Sequence, residues 1–214
     1  MQEAYDIIVL GGGMAGLNTA MRAAEAGKRV AVIERDRVGG TCPIRGCIPT
    51  KALVRSAEVA HEARRAAEFG IGVGEVTVDF AAVMERVRSI IDKGATATRA
   101  WMDSLEGADL IEGEGRFTGP NQITVGERVL EAPRIVIATG AAPSVPPING
   151  IETTPYLVSD DILQLSELPP RMLIVGAGPI ALEIGQAFQR LGSQVTMVEV
   201  LPEILPSEDR ELVT

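Results

Sequence analysis

Both cysteines of this 214-residue chain lie in one short segment, Gly39-Gly-Thr-Cys-Pro-Ile-Arg-Gly-Cys-Ile-Pro-Thr-Lys51. A pair placed this way can close a disulfide, open to a dithiol and so pass two electrons. In a regular helix, residues five apart have Cα atoms about 8.5 Å apart. A disulfide needs them within about 7 Å. A bridge between Cys42 and Cys47 therefore requires an irregular backbone. Gly46 permits the bend, and Pro43 and Pro49 withhold helical N–H donors. A loop this short constrains the unfolded chain little, and a strained bridge is easily reduced. The spacing reads as redox chemistry rather than a structural staple. Two buried thiols with no exchange role are the alternative. The single histidine, His61, cannot complete a metal site with them, so no metal is expected, and His61 reads as a helix-surface residue.

The elements around this segment repeat. Tyr5-Asp-Ile-Ile-Val-Leu10 reads as a short buried strand, followed by Gly11-Gly-Gly-Met-Ala-Gly16. An alanine-rich helix over about Leu17–Ala26 ends at Gly27, and a strand follows over Arg29–Glu34. The same order returns with Met172–Val175, Gly176-Ala-Gly-Pro-Ile-Ala181, a helix to Leu191, Gly192, and a strand over Gln194–Glu199. One offset of 165 residues superimposes Gly11 on Gly176, Gly13 on Gly178, Gly27 on Gly192 and Glu34 on Glu199. Each unit is a β-α-β dinucleotide fingerprint. The first glycine makes the turn, the second admits a pyrophosphate, and the third small residue packs helix on strand. The phosphates rest on N–H groups at the helix start. Glu34 and Glu199 would each hold a ribose hydroxyl, and an acid at Glu199 repels a 2′-phosphate, which favours NAD(H) without excluding NADP(H).

Between the fingerprints, Pro49–Gly70 reads as a long helix. Asp79 is placed to cap another that runs to about Trp101. Trp101 and Met102 read as packing residues. From Leu110 to Thr139 the pattern turns to β, with turns at Gly119-Pro-Asn121 and Gly126-Glu127. The expected fold is α/β: a Rossmann-like domain with a parallel sheet plus an antiparallel β meander over residues 1–150, then the first β-α-β of a second Rossmann-like domain over 151–214. Ala141–Gly150 reads as a linker.

Composition excludes other classes. The chain carries 29 acids against 20 bases, net −9, which argues against nucleic acid and against an anionic membrane surface. No apolar run reaches transmembrane length, and the start lacks the basic flank of a signal peptide. The expected setting is cytoplasmic, where a disulfide is more often catalytic or sensing than structural. Aromatics are 3% of residues, so the core must be aliphatic.

The run Gly40-Thr-Cys42 through Gly46-Cys-Ile-Pro-Thr-Lys51, between two nucleotide fingerprints, resembles the active-site signature of the class I pyridine nucleotide-disulfide oxidoreductases. These include dihydrolipoamide dehydrogenase, glutathione reductase and mercuric reductase. The resemblance covers nearly the whole chain. It implies FAD on the first fingerprint and NAD(P)H on the second, with electrons passing through FAD to a Cys42–Cys47 disulfide. It makes Cys42 the interchange thiol and Cys47 the thiol beside the flavin. It places Lys51 near the flavin, paired with Glu183. FAD contacts carried over are Gly11, Gly13, Met14, Ala15, Gly16, Glu34, Arg35, Gly40, Thr41, Gly115 (against the adenine), Ala138, Thr139 and Gly140. The second nucleotide would meet Gly176, Gly178, Pro179, Ile180 and Glu199. A small-molecule or lipoyl-type disulfide would be the substrate, and a homodimer the full-length assembly. A mercuric-reductase-like enzyme and a non-catalytic redox-sensing module are the rival readings.

Two departures stand out. Pro179 occupies a position where some family members carry a gating tyrosine, and it cannot swing. Arg45 adds positive charge between the cysteines, where it either lowers their pKa or faces solvent. Family members run to about twice this length, and their later parts bear a histidine-glutamate pair that serves the partner's disulfide. The chain is therefore expected to be an amino-terminal half whose turnover of a disulfide substrate is severely impaired.

Overall fold

The computed structural model describes residues 2–205, 208, 209 and 211. The chain divides into two compact units, Met1–Ile48 with Ile91–Pro146 and Pro49–Ile90 with Pro147–Thr214.

The first unit is built on two sheets. Strands β1 (Gln2–Ala4) and β2 (Ile7–Leu10) precede helix α1 (Met14–Glu25) and strand β3 (Val30–Glu34). The four-residue helix α2 (Thr41–Ile44) follows; helix α3 (Cys47–Arg65) belongs to the second unit from Pro49 on, and helix α4 (Phe80–Asp103) to the first unit from Ile91 on. Strands β4 (Ala108–Glu112), β5 (Gly115–Gly119), β6 (Gln122–Val125), β7 (Arg128–Glu131) and β8 (Ile135–Ile137) complete it. A parallel sheet has the order β4-β3-β2-β8, and a second sheet the order β1-β7-β6-β5. In that second sheet β5, β6 and β7 form an antiparallel meander, and β1 joins it parallel to β7.

The parallel sheet is covered on both faces, as its near-continuous apolar strands require. Because side chains alternate along a strand, Ile8, Ala31, Ile33 and Ile111 pack in one cluster with Ile123, Val125 and Leu130 of the meander. Val9, Val30 and Val32 pack in the other, with Leu17, Ala20 and Ala23 of α1 and Met102 of α4.

The strand expected over Tyr5–Leu10 forms as β2 but begins two residues later, at Ile7, and β1 lies upstream in the other sheet. Polar anchoring explains the switch. The Asp6 carboxylate accepts the Arg29 backbone N–H at 2.8 Å. The Tyr5 hydroxyl donates to Asp109 Oδ2 at 2.9 Å and reaches Glu3 Oε2 at 3.2 Å. The Arg29 guanidinium lies 4.4 Å over the Tyr5 ring, and Arg128 donates to both Glu3 oxygens at 2.8 and 2.9 Å.

Burial, with the hydrogen bond to Asp109, pushes the Tyr5 hydroxyl from 10.0 up to about 12. A raised pKa means the folded state favours the neutral phenol. That contribution is complete below about pH 10 and is lost as pH rises towards about 12. Tyr5→Phe is expected to cost about 1 kcal/mol near neutral pH, from the lost hydrogen bonds. It should also remove part of the alkaline loss of stability. Urea midpoints for the two proteins, measured from about pH 8 to about pH 11, should converge with rising pH; parallel curves would refute the assignment.

The second unit holds strands β9 (Arg171–Val175) and β10 (Gln194–Val198), paired in parallel, with helix α5 (Pro179–Leu191) between them in sequence. Three-residue and four-residue 3-10 turns lie over Ile151–Thr153 and Asp161–Gln164, and another over Ala66–Phe69. Buried Phe80 and Phe188 rings meet at 5.7 Å, tilted by 57°. The Arg86 guanidinium donates to the Ala52 carbonyl at 2.8 Å. The Asp79 cap is present, its Oδ1 accepting the Ala82 N–H at 3.0 Å. The expected helix over 49–70 starts two residues earlier, at Cys47, and gives way to the 3-10 turn after Arg65. Residues 138–148 carry no regular structure. Among the described residues no helix is long and apolar enough to cross a membrane.

Candidate functional site

The two glycine fingerprints fold alike to the level of single hydrogen bonds. Gly11 N–H donates to the Ile33 carbonyl and Gly176 N–H to the Val198 carbonyl, both at 2.8 Å. Leu17 N–H donates to the Gly13 carbonyl at 2.9 Å, and Leu182 N–H to the Gly178 carbonyl at 3.0 Å. Glu34 Oε2 accepts Gly12 N–H, and Glu199 Oε2 accepts Ala177 N–H, again both at 2.8 Å. The second oxygens accept Asp36 N–H at 2.9 Å and Leu201 N–H at 3.0 Å. Every one of these pairs obeys the offset that aligns the glycines.

The helix starts suit an anionic group. Gly13 and Gly178 cap α1 and α5 without any side-chain cap, and neither first turn holds an acid. Backbone N–H groups at such a start attract phosphate. Pro179 sits at the first turn of α5, where its missing N–H costs least. Met14, Ala15, Arg35, Pro179 and Ile180 are exposed.

Close packing explains several glycines. A Cβ on Gly11, at φ +113°, would lie 2.2 Å from the Ala138 carbonyl oxygen, so the Ala138-Thr139-Gly140 segment leaving β8 runs against the first fingerprint. A Cβ on Gly16 would lie 1.9 Å from the Gly11 oxygen. In the second unit the matching position is Ala181, and the close approach falls instead at Gly185, where a Cβ would meet Met197 at 2.2 Å. Gly185 escaped sequence reasoning, although a glycine in mid-helix is itself a packing signal. Gly115 opens β5, and a Cβ there would strike Leu10 at 2.5 Å; the space it leaves is taken up by packing between the sheets.

The cysteine segment is joined to the first fingerprint. Gly39 N–H donates to the Gly12 carbonyl at 2.8 Å, and Gly39 pairs with Gly13 in an isolated parallel bridge. A Cβ on Gly40, at φ +76°, would lie 2.6 Å from Gly13 Cα. From this seam Thr41 and Cys42 enter α2. The helix ends at Arg45, with φ −130° and ψ −10°, and α3 begins at Cys47. The Thr41 carbonyl accepts both Arg45 N–H at 2.8 Å and Gly46 N–H at 2.6 Å. The backbone break that a five-residue spacing demands is therefore at Arg45-Gly46. The prolines do not make it: Pro43 lies inside α2 and Pro49 in the first turn of α3, where a missing N–H is tolerated. Cys42 is half-buried and Cys47 exposed.

Lys51 lies one helical turn after Cys47 on α3, a spacing that shares a face. Within the second unit its Nζ is 2.7 Å from Glu183 Oε1, with side-chain exposures of 64% and 28%. Two charges remote in sequence thus meet, rather than standing separately in solvent. Arg45 pairs with Asp36. His61 is half-buried on α3. Trp101 is 39% exposed and Met102 fully buried in the α1 cluster. Among the described residues no three His, Cys, Asp or Glu side chains gather as metal ligands do.

Comparison with known proteins places this geometry. Residues 5–213 match the family model described as pyridine nucleotide-disulphide oxidoreductase. Dihydrolipoyl dehydrogenase of Bacillus subtilis is 38% identical over 99% of this chain and 47% of its own length. Mercuric reductase of Lysinibacillus sphaericus is 35% identical over 99% of this chain and 39% of its own. In structure, the Cu(II) complex of the HOCl-induced flavoprotein disulfide reductase RclA from Escherichia coli matches with a TM-score of 0.85. It is 32% identical and covers 99% of this chain and 46% of its own. The chain thus spans under half the length of these relatives. With the family model running almost from end to end, over both glycine fingerprints and the cysteine segment between them, the chain belongs to the pyridine nucleotide-disulphide oxidoreductase family.

Proposed function

We propose that this chain carries the FAD- and cysteine-bearing part of an NAD(P)H-dependent flavoprotein disulfide oxidoreductase, with residues 1–150 as the FAD-binding domain and 151–214 opening the NAD(P)-binding domain. The observation that carries the reading is the seam of Gly39 and Gly40 on Gly12 and Gly13. It starts the cysteine segment directly at a pyrophosphate-binding turn. FAD, when bound, supplies the conversion between hydride chemistry at a nicotinamide and thiolate chemistry at a disulfide.

The residues divide the work as follows. Gly11, Gly13 and Gly16 shape the turn, Met14 and Ala15 begin the helix that faces the phosphates, and Glu34 offers its carboxylate to the ribose. Arg35, Thr41, Gly115, Ala138, Thr139 and Gly140 line the same site. Lys51 brings a positive charge, oriented by Glu183. Cys42 exchanges with the substrate disulfide, and Cys47 closes the internal bridge. In the second unit Gly176, Gly178, Pro179 and Ile180 form the nicotinamide cofactor's turn. Hydrogen bonds from Leu201 and Ala177 N–H groups hold the Glu199 carboxyl below the usual carboxylate range. Glu199 therefore stays charged through neutral and mildly acidic pH, which opposes a 2′-phosphate and favours NADH. A small-molecule or lipoyl-type disulfide as substrate, a homodimer and a cytoplasmic setting belong to the same reading.

The test is anaerobic titration of the FAD-loaded protein with NADH. The first equivalent of NADH is expected to open the bridge to two alkylatable thiols, Cys42 and Cys47, with the flavin returned to its oxidised form, and only a second equivalent to bleach the oxidised flavin absorbance, with NADPH far less effective. A protein that binds FAD but keeps its thiols oxidised under excess NADH would favour a sensing module instead.

A further inference from the structure

We propose that Arg45 is a positioning residue for the cysteine pair: its ion pair with Asp36 holds the turn between Cys42 and Cys47 in the shape that lets the two thiols close. The inference rests on the redox reading above. Arg45 stands at the break between α2 and α3, and its backbone N–H is already spent on the Thr41 carbonyl at 2.8 Å. Its guanidinium reaches Asp36. Asp36 N–H in turn donates to Glu34 Oε1 at 2.9 Å, and Glu34 Oε2 accepts Gly12 N–H at 2.8 Å. A chain of polar contacts therefore runs from the glycine turn, through the ribose-facing acid, to the residue where the helix breaks. With its charge shared by Asp36, Arg45 acts less as a source of field at the thiols than as a tether on the loop.

The two roles give opposite signatures. A pure charge effect makes Arg45→Gln and Asp36→Asn shift the thiols in opposite directions. A tether makes both shift the pair the same way, and makes the double variant no worse than either single.

The experiment equilibrates the protein with glutathione buffers without oxygen. The dithiol gives two electrons and two protons to glutathione disulfide; the Cys42–Cys47 S–S bond forms, the glutathione S–S bond breaks, and two glutathione thiols leave. The oxidised fraction is read by alkylation and mass measurement. Arg45→Gln and Asp36→Asn are each expected to lower the equilibrium constant for bridge formation by about two- to fivefold. That is the range for an ion pair whose side chains are 44% and 51% exposed. The double variant should fall no further, and the charge-swapped pair, Arg45→Asp with Asp36→Arg, should recover most of the loss. About 1 M salt should lower the wild-type value towards that of the variants. Opposite shifts in the two singles, or no shift in either, would overturn the tether. A wild-type protein that forms no internal bridge at any glutathione ratio would instead overturn the redox reading on which it rests.

Discussion

Gly16→Ala is expected to abolish FAD binding and to destabilise the fold by about 2 kcal/mol or more. The added methyl would lie 1.9 Å from the Gly11 carbonyl oxygen and 3.1 Å from a Val9 methyl. Neither neighbour can yield cheaply. The oxygen is backbone, in a turn held by Gly11 N–H on the Ile33 carbonyl, and Val9 is fully buried. Overpacking of this kind costs about 1–3 kcal/mol and sometimes more. The better helix propensity of alanine returns only about 1 kcal/mol. Relief must come from moving α1 away from β2, which re-aims the N–H groups at its start and removes the phosphate site. The second unit supplies the control. Ala181 occupies the equivalent place there without a clash, so Ala181→Gly should leave nucleotide affinity near wild type. Urea unfolding and FAD titration read both effects. A Gly16→Ala protein that binds FAD within a factor of about two of wild type would show that the helix can pack at the longer distance.

The repeat was the legible part of this fold. Glycines, helix-ending glycine and terminal acid recur because the backbone itself needs them. The same offset also relates features the sequence reading did not name, the Glu34 and Glu199 hydrogen bonds to Gly12 and Ala177 N–H and the strand register, Ile7 with Val30 and Met172 with Val195. What escaped is decided by tertiary contact. No local pattern starts β2 at Ile7 and sends Gln2–Ala4 to the other sheet; Asp109 and Arg29 anchor Tyr5 and Asp6 between the two strands from elsewhere in the chain. Asp36 with Arg45 joins a strand end to a helix break, and each alone looks like a solvated charge. Lys51 with Glu183 was nameable through family resemblance but not from the residues themselves, since nothing in either neighbourhood points to the other. The helix break between the cysteines was half legible. Disulfide geometry required it, yet its position at Arg45-Gly46 came from the Thr41 carbonyl, which captures two consecutive N–H groups.

Single-cysteine proteins should separate the two thiols by their environment. Cys47 is exposed at the start of α3 and Cys42 half-buried in α2. Without FAD, Cys42→Ser, which retains Cys47, is expected to alkylate at least several times faster than Cys47→Ser. Saturating FAD should reverse the order. The proposed reading sets Cys47 beside the flavin and Cys42 towards the substrate, so FAD should slow Cys47 by about tenfold or more while leaving Cys42 within a factor of about two; such protection reflects lost access rather than lost nucleophilicity. Both variants also lose the partner needed to close the internal bridge. Cys47→Ser, which retains the exchange thiol Cys42, should then stall as a mixed disulfide after attacking glutathione disulfide and releasing one glutathione thiol, because resolving that bond requires attack by the second thiolate; Cys42→Ser should trap little. Alkylation rates followed by mass, with and without FAD, test the placement, and trapped mixed disulfide tests the exchange role. If FAD protects Cys42 and leaves Cys47 reactive, the roles of the two cysteines are interchanged. If it protects neither, the cofactor lies away from the α2–α3 break, and the seam between Gly39–Gly40 and the first glycine turn serves packing rather than electron transfer.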